Sequence, residues 1–139
     1  MNPTNPTNPT IVSLIALCEQ YREILAVYLF GSHAKGKVRP ESDIDLAILL
    51  AEPHRSGFDL LAFIAEAESR VGRQVDVVVL NTASELLKYQ VRKHGRLLLD
   101  RDSAARKTFE IKSRKYFEDF LHLHKKYTKE VRRGRSVAD

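Results

Sequence analysis

Cysteine is almost missing from this chain. Cys18 is the only one in 139 residues, which excludes an internal disulfide and fits a reducing, cytoplasmic setting. Cys18 lies in an apolar helical pattern and reads as a small core residue. No apolar run approaches the roughly 20 residues that a bilayer-spanning helix needs, and the N-terminus lacks a charged-then-apolar leader pattern. The histidines carry no metal-ligand spacing: His122 and His124 are two apart on an expected helix and leave different faces. No zinc site is read. What remains is one domain, long enough for a single core.

An excess of either charge is also missing over most of the chain. Residues 1–100 hold 11 basic and 12 acidic residues, and residues 101–139 hold 12 basic and 6 acidic, within a net charge of +5. The basic excess thus belongs to the C-terminal segment. It reads as a solvated helix face in preference to a surface for an acidic protein or RNA, and direct nucleic-acid binding is not expected.

Asn-Pro-Thr occurs three times in residues 2–10. Each proline removes a donor and disfavours helix before it, so residues 1–10 read as a disordered tail and residues 11–139 as the domain. A helix capped by Thr10 is expected from Ile11 to about Arg22, carrying Leu14, Ile15 and Cys18 inward. Strands follow over 24–30 and 43–51. Ser56 with Asp59 suggests a cap for a helix over 58–71, with Leu61, Ile64, Ala65 and Glu68 on successive turns and Gly72 as its stop. A third strand spans 74–80. Thr82 and Glu85 form a candidate capping box for a helix over 83–93, and a short strand covers 96–100. From Ser103 onward a long helix carries Phe109, Tyr116, Phe117, Phe120, Tyr127 and Val131 as a stripe. Its first half is expected to pack on the domain, and its second half to exceed what so small a body covers.

The chemistry gathers where strand one ends. Gly31 lets the backbone turn sharply and approach a ligand. Ser32 adds a hydroxyl and an N–H at the expected start of a short helix, a setting that holds phosphate. Ten residues later come Asp43 and Asp45, two apart and hence on one face of a strand, with Ile44 directed into the core. Paired carboxylates beside a phosphate turn suit Mg2+, which takes one or two carboxylates plus phosphate oxygens. Asp45 precedes Leu46-Ala47-Ile48-Leu49-Leu50, and Asp76 stands amid Val75, Val77, Val78 and Val79. Carboxylates inside such strands are poor strand chemistry and point to function. Lys35, Lys37 and Arg39 supply positive charge to the intervening loop; any of them could meet a triphosphate.

Gly31-Ser32, ten residues, Asp43-Ile44-Asp45 and a later strand-borne Asp76 resemble the nucleotidyltransferase superfamily of DNA polymerase β. The closer likeness is to the minimal nucleotidyltransferases, the MNT family of antitoxins paired with HEPN toxins. Lys35 stands where that family often has arginine, so charge is kept and a bidentate fork is lost. The resemblance implies an α/β fold, a small mixed β-sheet packed with helices, covering about residues 11–101. It implies ATP as substrate, two Mg2+ ions on Asp43, Asp45 and Asp76, and Gly31, Ser32 and Lys35 at the nucleotide. It further implies transfer of AMP to a tyrosine of a cognate HEPN toxin, with Asp76 accepting the phenol proton. Two alternatives stand beside it: a non-catalytic antitoxin that acts by occlusion, and a small-molecule nucleotidyltransferase. The site also dictates topology. Strands one and two must meet at the site and run antiparallel, and strands two and three must be parallel, joined by the 58–71 helix through a right-handed crossover.

Overall fold

In a computed structural model, residues 8–31, 43–52 and 57–138 are described, with side chains through Arg132. The elements are α1 (Pro9–Glu19), β1 (Ile24–Phe30), β2 (Ile44–Leu50), α2 (Leu60–Val71), β3 (Val75–Val79), a 3-10 turn (Leu80–Thr82), α3 (Glu85–His94), β4 (Arg96–Asp100) and α4 (Ser103–Ala138). One mixed sheet has the order β3-β2-β1-β4. β1 is antiparallel to β2 and to β4, whereas β2 and β3 are parallel. This is the pairing that the placement of the acidic residues required. Among the described residues, no helix is long and apolar enough to cross a membrane.

β1 and β2 are central and apolar on both faces, as a covered sheet demands. On one face Ile24, Val27, Leu29, Ile44, Leu46, Ile48 and Leu50 pack beneath α1 and α2. On the other, Ala26, Tyr28, Ala47 and Leu49 meet Leu80, Val91 and Phe109 from the side of α3 and α4. Cys18 is buried, and burial pushes its thiol up to about 12, which keeps it an inert core residue.

Local chemistry sets the helix ends, in places differently from expectation. Asn8, not Thr10, caps α1: its side chain accepts from the Thr10 N–H at 2.9 Å, and Pro9 occupies the first turn. The helix therefore begins inside the third Asn-Pro-Thr unit. It stops at Glu19, where the Arg101 guanidinium donates to the Cys18 and Glu19 carbonyls, a favourable charge for a helix C-terminus. Asp59 caps α2 through the Ala62 N–H at 3.0 Å, and Gly72 ends it at φ +69°. Ser56 lies outside the described residues. α3 is capped by Ser84, whose hydroxyl takes the Leu87 N–H at 3.2 Å, so the Thr82–Glu85 box does not form. The buried face of α2 is also turned by one position. Phe63 and Ala67 are buried, while Leu61 is 79% exposed. Phe63 wins because Tyr21 and Phe58 receive its ring edge-on and tilted, at 5.2 and 5.6 Å between centroids.

Among the described side chains, α4 is pinned along its first half. Tyr28 Oη donates to Glu110 at 2.7 Å, Arg106 bridges Glu110 and Asp100, and Arg92 donates to the buried Ser113 hydroxyl at 2.8 Å. Phe117 stacks on Tyr89 at 4.2 Å and is 7% exposed. Tyr116, expected in the same stripe, is 56% exposed: the inward line runs Phe109, Ser113, Phe117 at four-residue steps. Past Phe117 the described side chains are exposed, apart from half-buried Thr128.

Phe63 joins α1, α2 and the sheet. Phe63→Ala is expected to cost about 3–5 kcal/mol, read as a lowered midpoint in urea with an unchanged slope.

Candidate active site

The site forms because strand ends that are distant in sequence are neighbours in the sheet. β1 ends at Phe30-Gly31, and its last residue, Phe30, pairs with Asp45 of β2. On its other edge β2 pairs in parallel with β3, and there Asp45 stands opposite Asp76. In-register residues of adjacent strands are about 4.8 Å apart, so these two carboxylates are immediate neighbours. Asp43 lies just before β2 rather than in it. Asp45 shares its sheet face with Ala47 and Leu49, whereas Ile44 and Leu46 face the opposite core. The acids therefore occupy the open end of the face that α3 and α4 cover farther along.

Gly31 closes the site from the β1 side. Its φ is +73°, a left-handed backbone that side chains disfavour, and a Cβ built there would fall inside contact distance of the Asp45 carboxylate. Backbone thus passes directly over Asp45, as a chain must when it brings N–H groups to a substrate held by that carboxylate.

The electrostatics are those of a crowded acid cluster. Burial holds the Asp45 carboxyl above the ordinary carboxylate range, with further upward pushes from Asp76 and then from Asp43. Asp43 and Asp76 are exposed and Asp45 is half-buried. Among the described residues, no three carboxylate, imidazole or thiol groups meet closely enough to cage a metal by themselves. The donor set instead fits a cation that draws its remaining ligands from phosphate oxygens and water, as magnesium does.

The structure thus brings together Gly31, Asp43, Asp45 and Asp76. Ser32, His33, Lys35, Lys37, Arg39 and Ser42 lie outside the described residues. One residue escaped the sequence reading: Gln74, whose side-chain amide donates to Asp76 Oδ1 at 3.1 Å. Its position two before Asp76, on the same strand face, is the signal that could have found it.

Comparison with known proteins bears on the fold and the family. Residues 13–104 match the family model described as polymerase beta, nucleotidyltransferase. A candidate protein adenylyltransferase of Methanocaldococcus jannaschii is 35% identical over 63 residues, covering 45% of this chain and 67% of that protein. Among solved structures, a chain of a toxin–antitoxin complex with AMP-PNP is 25% identical with a TM-score of 0.72, over 87% of this chain and 97% of that one. A chain from the complex of the tri-AMPylated Shewanella oneidensis HEPN toxin with its MNT antitoxin shares the fold, with a TM-score of 0.67 and 24% identity over 88% of this chain and 95% of that one.

A carboxyl whose folded pKa lies above its unfolded value makes the folded chain the better proton binder in that window. Its stabilising share is present below the unfolded pKa and is lost as pH rises through the folded one. Asp45→Asn is therefore expected to raise the melting temperature at neutral pH without nucleotide, and to flatten the decline of stability with pH above the carboxylate range. Scanning calorimetry from pH 4 to 8 checks both. Gly31→Ala is expected to lower stability by about 1–3 kcal/mol through backbone strain and the displaced Asp45, measured by urea unfolding.

Proposed function

This chain belongs to the polymerase β nucleotidyltransferase family, and we propose that it is an antitoxin that transfers AMP from ATP to a tyrosine hydroxyl of a cognate HEPN toxin. The observation that carries the reading is the juxtaposition of Gly31, Asp45 and Asp76 at one sheet end, with Asp43 beside them. The AMP-PNP in one similar structure and the AMPylated toxin in another support the choice of nucleotide and acceptor.

Each residue has a task in that reaction. Asp43 and Asp45 would hold the divalent cations, and Asp76 would complete the second cation position. Magnesium, when bound, neutralises the triphosphate and steadies the departing pyrophosphate. Gly31 and Ser32 offer backbone N–H groups to the phosphates, and Lys35 adds positive charge. The tyrosine oxygen bonds to the α-phosphorus, the bond from that phosphorus to the bridging β-oxygen breaks, and pyrophosphate leaves with the electron pair. Asp76 takes the phenolic proton. A phenol, with a pKa near about 10, releases that proton more readily than a serine hydroxyl.

The body is small, and a protein acceptor arrives with its own scaffold. α4 supplies a surface for such a partner. Its 36 residues extend about 54 Å at 1.5 Å per residue, and Phe120, Leu123, Tyr127 and Val131 are exposed along the unpacked part. An apolar line of this kind marks an interaction surface. It also favours a second reading, in which binding alone blocks the toxin.

Truncation after Glu118 is expected to leave the melting temperature of the body within a few degrees and to weaken complex formation at least about tenfold, an effect of 1.4 kcal/mol. Unchanged affinity returns this segment to a solvated extension. Asp76→Asn is expected to lower AMP transfer by about 10²-fold or more and to leave most MgATP binding in place. Intact-mass analysis of the co-expressed partner checks it. A toxin neutralised equally by native protein and by every Asp→Asn variant, with no AMP adduct in any sample, would leave occlusion as the function.

A further inference from the structure

Gln74 makes two different bonds at the acid cluster. Its backbone carbonyl accepts the Ile44 N–H at 3.0 Å, between the two acids of the Asp43-Ile44-Asp45 segment. Its side-chain amide donates to Asp76 Oδ1 at 3.1 Å. One residue thereby ties the start of β2 to the carboxylate on β3. Both side chains are exposed, so the amide–carboxylate bond contributes little to folding.

The geometry points to Gln74 as a positioning residue for AMP transfer: it holds one oxygen of Asp76 and leaves the other available to the reacting groups beside Asp45. An exposed aspartate at a strand edge samples several rotamers. Asp45, directly across the sheet, repels a second carboxylate, so Asp76 gains by swinging outward when nothing restrains it. A donor on the same face, two residues earlier, restrains it at one oxygen and opposes that swing. Gln74 touches neither nucleotide nor acceptor in this scheme; it acts through Asp76. The inference rests on the adenylyltransferase reading given above.

The main-chain bond to Ile44 survives any side-chain change, so variants at this position isolate the amide. With the co-purified toxin as acceptor, Gln74→Ala is expected to lower kcat about 5- to 10-fold, with KM for ATP within about twofold and an unchanged melting temperature. Gln74→Glu keeps the shape, loses the donor and adds a like charge, and is expected to fall below Gln74→Ala. Gln74→Lys restores a donor and is expected to exceed both. A second readout is independent of turnover. In the nucleotide-free protein, the Gln74 side-chain amide proton should resonate downfield of free glutamine and return toward the free value in Asp76→Ala. A native protein that transfers AMP, with Gln74→Ala equal to it in kcat or raising KM in proportion to the loss, overturns the positioning role. A native protein that transfers no AMP overturns the adenylyltransferase reading and this role with it, even where the amide shift shows the Gln74–Asp76 bond to be real.

Discussion

Asp45 and Asp76 stand in register on adjacent parallel strands, with Asp43 close behind, and their mutual repulsion is the constraint around which this domain is arranged. Burial and two like charges hold the Asp45 carboxyl above its ordinary range. A sheet built for stability alone would place an aliphatic residue at both positions, as it does at Val75, Ile44 and Leu46 on the other face. A nearby cation would relieve the acids kept there, and in the proposed function the divalent cations that accompany a nucleoside triphosphate supply it. Stability is given up at the site and recovered elsewhere, in the double-sided burial of β1 and β2 and the aromatic cluster of Tyr21, Phe58 and Phe63.

The remaining elements serve that placement. Antiparallel pairing of β1 with β2 brings Gly31 over Asp45. Parallel pairing of β2 with β3, through α2, delivers Asp76 from some thirty residues downstream in the sequence. α2 is tied to the start of β3 by the Glu68 carboxylate, which accepts the Val75 N–H at 3.0 Å. Asn81 clamps the far end of β2, exchanging two 2.9 Å hydrogen bonds with the Leu50 backbone. α4 is anchored on the opposite face through Glu110, Ser113 and Phe117, then leaves the body with its apolar side chains exposed.

The sheet and its acids were legible because they rest on strong, repeated signals: apolar runs of strand length, a glycine where a strand ends, and carboxylates where a core strand should have none. The left-handed Gly31 and the Gly72 stop followed from chemistry that only glycine satisfies. Helix caps were less legible. Asn8, Thr10, Thr82 and Ser84 are all competent acceptors, and the choice among them turns on which residue adopts extended backbone, which composition does not encode. The turned face of α2 and the outward Tyr116 had another cause. Neighbouring apolar residues, Leu61 against Phe63 and Tyr116 against Phe117, compete for one inward position, and the winner depends on a partner ring supplied by a distant segment. Gln74 went unread because a polar residue at a strand edge has many ordinary explanations until its acceptor is seen.

If relief of the acid cluster is what the site is for, nucleotide binding must depend on both the cation and the carboxylates. Isothermal titration of ATP into the native protein, with magnesium and with excess chelator, and into Asp43→Asn/Asp45→Asn measures this directly. The account predicts binding by the native protein with magnesium, loss of that binding in chelator, and loss of it in the double variant despite an undiminished melting temperature. MgATP binding by the double variant equal to that of the native protein would contradict it.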